Sequence, residues 1–80
     1  QAGNVVIYKP AGGPASIYLE EKNKLVWLDN VNGSQTMESL TLQPGKYRVI
    51  YRSQNAKETI YTIERRFAVE SGALVTVKLF

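Results

Sequence analysis

The chain contains no cysteine and no histidine. These two absences exclude disulfides, thiolate or imidazole metal sites, and Ser-His-Asp or Cys-His nucleophiles. No stretch shows sustained i, i+3, i+4, i+7 apolar spacing, so essentially no α-helix is expected. No apolar run approaches the roughly 20 residues of a membrane span, and no signal peptide is evident. The first residue is Gln1 rather than methionine, which points to a mature product or to a piece excised from a longer protein.

Carboxylates remain as possible acid–base groups, but their spacing is poor for that work. Glu20 and Glu21 are adjacent and point to opposite faces of an extended chain, and Asp29 and Glu38 flank a turn. The segment Asp29–Gly33 resembles a calcium loop in composition only. The EF-hand pattern needs oxygen ligands at its third and fifth positions and glycine at its sixth; here these are Val31, Gly33 and Ser34. Gly12-Gly13 lacks the Lys-Ser/Thr of a phosphate loop, and no helix follows it. Asn32-Gly33-Ser34 is formally a glycosylation sequon and is first of all a turn. The expectation is therefore no enzyme, no cofactor and no metal.

What the sequence does have is strands. Eighty residues make a single domain spanning 1–80, with a core of about a dozen side chains. Asn4–Lys9 is β-branched and aromatic and ends at the breaker Pro10–Pro14. Ser16–Glu20 is a second strand with Ile17 and Leu19 on one face, and Glu21–Lys24 is a polar hairpin connection. Leu25–Leu28 is continuously apolar, which predicts burial on both sides. Asp29–Gly33 reads as a turn, Thr36–Leu42 as a fourth strand, Lys46–Ser53 as a fifth and Gln54–Lys57 as another turn.

At Pro44-Gly45 the expectation is a type II turn with positive φ at Gly45. Beyond it Tyr47, Val49 and Tyr51 share one face, while Lys46, Arg48, Ile50 and Arg52 share the other. In Glu58–Glu70 the residues Thr59, Tyr61, Ile63, Phe67 and Val69 share one parity, and Arg65 interrupts it. That interruption predicts a bulge or a change of sheet near Glu64–Arg66. Ser71-Gly72 is the last turn, and Ala73–Phe80 closes the fold with Ala73, Val75, Val77 and Leu79 inward. Seven strand segments at such spacing predict an all-β, seven-stranded antiparallel β-sandwich.

The net charge of +3 is uneven. After Gln43, Lys46, Arg48, Arg52, Lys57, Arg65, Arg66 and Lys78 face Glu58, Glu64 and Glu70, while the first half is slightly acidic. A basic half steers acidic partners. The candidate contact face is Trp27, Arg48, Arg52, Arg65 and Arg66. Tyr47, Tyr51 and Tyr61 read as core and rim residues. Trp27 reads as core or half-core; exposed, it becomes the best single contact residue.

The segment Leu42–Glu64, with its Leu-x-Pro-Gly-x-Tyr-x-Val core, and Phe67–Gly72 resemble the C-terminal β-sandwich of bacterial von Willebrand factor type A domain proteins, some of them calcium-activated chloride channel homologues. Ser16–Leu19 and Leu25–Leu28 are similar to that region too. The core pattern is also similar to PEGA, carboxypeptidase-regulatory-like and transthyretin-like modules, and the resemblance implies a sandwich that is immunoglobulin-like or transthyretin-like. The resemblance implies a non-catalytic accessory module of an exported protein: periplasmic, cell-surface or secreted. Its implied partner is an upstream domain of the same protein, such as a type A domain, or another protein. The family's metal motif, Asp-x-Ser-x-Ser, is absent from this chain, so no site residue transfers. Two alternatives stand beside this reading. One is a carbohydrate-binding module using Trp27 with Tyr8 or Tyr18. The other is an OB-like nucleic-acid binder using Arg48, Arg52, Arg65 and Arg66.

Overall fold

A computed structural model describes residues 1–53 and 62–80. The turn expected at Gln54–Lys57, the first part of the Glu58–Glu70 strand and Tyr61 lie outside the described residues. The described residues form seven strands: β1 Gly3–Tyr8, β2 Ala15–Glu21, β3 Lys24–Val31, β4 Met37–Leu42, β5 Gly45–Arg52, β6 Thr62–Val69 and β7 Leu74–Lys78. They make a three-stranded sheet in the order β4-β1-β7 and a four-stranded sheet in the order β3-β2-β5-β6. Among the described residues no helix is long and apolar enough to cross a membrane.

The two sheets face each other across a core made by alternation. Val5, Ile7, Val77 and Leu79 come from the three-stranded side. Ala15, Ile17, Val31, Tyr47, Val49, Tyr51 and Val69 come from the four-stranded side. The inward parity expected for Tyr47, Val49 and Tyr51 holds, as it does for Ile17, Val77 and Leu79. These β-branched and aromatic residues fit a half-buried pleated surface, and their outward neighbours are largely polar.

Lys9 continues the inward parity of Val5 and Ile7 and is only 2% exposed. Its ammonium donates to the carbonyls of Pro10 and Gly33, each at 3.1 Å, and lies 5.7 Å from the centroid of the Tyr51 ring. Burial pushes its pKa below the ordinary lysine value. It ties the β1–β2 connection to the Asn32–Gln35 turn, where Gly12 N also donates to Gly33 O at 3.0 Å. Tyr47 makes a second tie: its hydroxyl donates to the Gln43 carbonyl across the corner. Its ring stacks on Phe67 with centroids 5.6 Å apart.

The structure corrects five expectations. First, the strands are not all antiparallel: β1 and β7 pair in parallel. Parallel neighbours need a long crossover, and the whole intervening chain supplies it. Second, Pro44-Gly45 is not a hairpin turn. Gln43 and Pro44 carry the chain from one sheet to the other, and Gly45 starts β5 without positive φ. Third, Asp29–Val31 belongs to β3, with Val31 buried; the turn begins at Asn32, whose backbone carbonyl accepts from Gln35 N at 3.0 Å.

Fourth, β5 and β6 pair without interruption from Gly45–Val69 to Arg52–Thr62, so no bulge lies at Glu64–Arg66. Arg65 keeps the inward parity but stands on an edge strand, where its side chain reaches solvent and donates to the Glu64 carbonyl at 3.2 Å. Fifth, Leu25–Leu28 is not buried on both sides. β3 is an edge strand, and Leu25, Trp27 and Leu28 are exposed.

The irregularity lies instead between β2 and β3. Ile17 faces Asp29 while Tyr18 faces Trp27, which leaves Leu28 as an extra residue. Counted from buried Val31, strict alternation would turn Trp27 inward. The extra residue reverses the parity, so Trp27 faces out and half-buried Val26 takes its place opposite Leu19. The expected β2–β3 hairpin is present, with Lys22 and Asn23 at φ of 44° and 68°. Positive φ at both central residues defines a two-residue type I′ connection.

The close approach of two loops can be tested with glycine substitutions. A Cβ at Gly13 would lie 2.2 Å from the Arg52 carbonyl oxygen, whereas one at Gly45 would meet nothing nearer than 3.6 Å. Gly13→Ala is expected to destabilise the fold by about 2–3 kcal/mol, and Gly45→Ala to change it by less than about 1 kcal/mol. Urea midpoints measure both. A large loss at Gly45 would restore the positive-φ turn.

Candidate contact face

The outer surface of the four-stranded sheet gathers most of the expected contact residues. Trp27, Tyr18, Arg48 and Arg66 occupy directly opposed positions on β3, β2, β5 and β6, forming one row across the sheet. Asn30, Ser16, Ile50 and Glu64 form the neighbouring row. Leu25 and Glu20 flank the first row on its other side, and Arg52 extends the face beside Thr62. Arg65 does not join them, because its parity directs it to the opposite face of the sheet.

Trp27 is 56% exposed and fixed in place. Its indole N–H donates to Asn30 Oδ1 at 2.9 Å, and Ser16 Oγ donates to the same oxygen at 2.8 Å. The β3 bulge makes this possible, since residues 27 and 30 would otherwise point to opposite faces. Asn30 in turn donates its backbone N–H to Asp29 Oδ1 at 2.8 Å.

Arg48 sits at the centre of a charge network. Its Nε and Nη2 each lie 2.8 Å from Glu20 Oε1, and Nε lies 3.3 Å from Glu64 Oε1. Arg66 Nε donates to the same Glu20 oxygen at 3.1 Å. Glu20 therefore bridges guanidinium groups on two adjacent strands. Partial burial pushes its carboxyl upward in pKa; the hydrogen bonds and charges of Arg48 and Arg66 outweigh this and hold it below the usual carboxylate value. Glu20, Lys22, Leu25, Lys46, Arg48 and Arg66 help line a shallow depression of about 610 Å³ beside the β2–β3 turn.

Sequence reasoning nominated Trp27 and the arginines but missed the Glu20 and Glu64 partners that organise them. The missing signal was register. Glu20 and Arg48 are 28 positions apart, and only the β2–β5 pairing brings them together. Tyr8, the other aromatic proposed beside Trp27, lies on β1 in the opposite sheet.

No protein-family model matches the chain, and no curated protein matches its sequence.

The pKa shift of Glu20 fixes the sign of a pH effect. A carboxyl held below its unfolded value of about 4.3 stabilises the fold above that pH, and the contribution disappears as pH falls through the folded value. The stability difference between the natural chain and Glu20→Gln should therefore be full at neutral pH and shrink in acid. Urea unfolding of both proteins across this range checks it; a difference independent of pH would contradict the bridge.

Proposed function

We propose that the chain is a non-catalytic accessory β-sandwich module, immunoglobulin-like or transthyretin-like, that serves protein–protein or interdomain contact in a surface or periplasmic protein. The observation that carries this reading is β3. It is an eight-residue edge strand whose outer side has no strand partner among the described residues, and it exposes Leu25, Trp27 and Leu28 together. Sheet edges of this kind are templates for added strands, and monomeric proteins usually blunt them with charge, proline or cover. Here Lys24 and Asp29 flank the apolar stretch, and no proline interrupts it. An aromatic anchor held by fixed hydrogen bonds also suits a contact that buries it at low entropic cost.

The resemblance to sandwiches that follow type A domains supplies the class of neighbour: a preceding domain of the same polypeptide. Under that reading metal-dependent adhesion belongs to the neighbour, and this module packs against it. The nucleic-acid alternative is weakened by the carboxylates. Glu20 and Glu64 partly neutralise Arg48, Glu20 also holds Arg66, and Arg65 faces away. The carbohydrate alternative keeps one favourable observation, the direct opposition of Tyr18 and Trp27.

Amide hydrogen exchange tests the docking role. The β3 amides of the isolated chain should exchange faster than those of β2 and β5, and they should gain protection in the longer parent polypeptide. Unchanged β3 exchange in the parent would overturn interdomain docking through this edge. The same experiment with soluble oligosaccharides distinguishes the carbohydrate reading.

A further inference from the structure

The depression beside the Lys22–Asn23 turn carries more chemistry than an apolar edge. Lys22, Lys24, Lys46, Arg48 and Arg66 line it, against the two carboxylates of Glu20 and Glu21. Glu20 is shared between two guanidinium groups and Glu64 reaches Arg48 from the side, so the positive excess of the lining comes from Lys22, Lys24 and Lys46 together with the outward part of Arg66. Arg66 contributes only its Nε to that bridge, and its side chain is 69% exposed. Among the described residues, its two terminal nitrogens have no protein partner. They present a planar fork to the solvent beside exposed Lys46.

We propose that this depression docks an acidic peptide segment of a protein partner, with its carboxylates on Arg66 and Lys46 and an apolar side chain on Leu25 and Trp27. The proposal rests on the reading of this face as a protein-docking surface and specifies what it docks. Three observations favour that occupant. Glu20 is an internal example: the face already seats a carboxylate between guanidinium groups, the pairing that their N–H geometry favours. The lining is mixed in sign. Glu20, Glu21 and nearby Glu64 would repel a dense phosphodiester backbone, whereas a peptide spaces its carboxylates and can avoid them. Finally, exposed Leu25 and Trp27 adjoin the cations on the same face, which matches a peptide that carries both charge and an apolar anchor.

The test is calorimetric and NMR titration of the 80-residue chain with a tryptophan-free peptide that alternates glutamate with leucine and phenylalanine. Its counterpart with glutamine at every glutamate, and a single-stranded oligonucleotide, are titrated in parallel. The acidic peptide should bind, shift the amides of Lys46 and Arg66, and weaken as salt rises. Arg66→Gln and Lys46→Gln should each reduce its affinity about tenfold. Both positions are exposed, and circular dichroism confirms that each variant is folded. Equal binding of the glutamine peptide, tighter binding of the oligonucleotide, or no binding of the acidic peptide at low salt would each overturn the proposal. If β3 gains protection in the parent polypeptide while the acidic peptide fails to bind, this proposal alone falls. If neither occurs, the docking reading falls with it.

Discussion

One extra residue decides what this domain shows to its surroundings. The pairing of Ile17 with Asp29 and of Tyr18 with Trp27 leaves Leu28 without an opposite number, and every side chain of β3 before it changes face. Val26 turns toward the core, and Trp27 and Leu25 turn to the solvent. The indole then reaches the Asn30 side chain, which Ser16 holds from the adjacent strand. Without the bulge, the chain's one tryptophan would point into a core already filled by Ile17, Val49 and Tyr51.

β5 joins that surface to the interior. Its inward residues Tyr47, Val49 and Tyr51 form the centre of the core, and its outward Arg48 forms the centre of the charge network. The hydrophobic side fixes the strand, and the strand fixes Arg48 between β2 and β6. Glu20 and Glu64 then reach it from strands already held in register. Exposed ion pairs contribute little to stability. This network is better understood as setting the charge pattern of the face: guanidinium groups held in place, with part of their hydrogen-bonding capacity still directed outward.

Much of the fold was legible from alternation alone. Tyr47, Val49, Tyr51, Val77 and Leu79 showed their faces because period-two patterning is strong where one side is buried. The polar Glu21–Lys24 link was legible as a hairpin because nothing else fits two strands so close in sequence. The failures share a cause. Gln43-Pro44-Gly45 has the composition of a tight turn, but its role depends on which sheets its two strands join, and pairing is not a local property. Arg65 looked like a register fault because the inward face of an edge strand was treated as fully buried. The run Leu25–Leu28 could mean burial on both sides or a change of parity, and local sequence does not separate the two. The Glu20 bridge was invisible for the same reason: its partners are distant in the chain and adjacent only across paired strands.

The contact face depends most directly on Trp27 facing outward. It is the chain's single tryptophan, so its fluorescence reports this position without ambiguity. Emission and acrylamide quenching of the isolated chain are the decisive measurement. The bulged β3 predicts red-shifted emission and efficient quenching, as for an indole in contact with water. Blue-shifted emission that acrylamide barely reaches would place Trp27 in the core, remove the bulge, and with it the contact face.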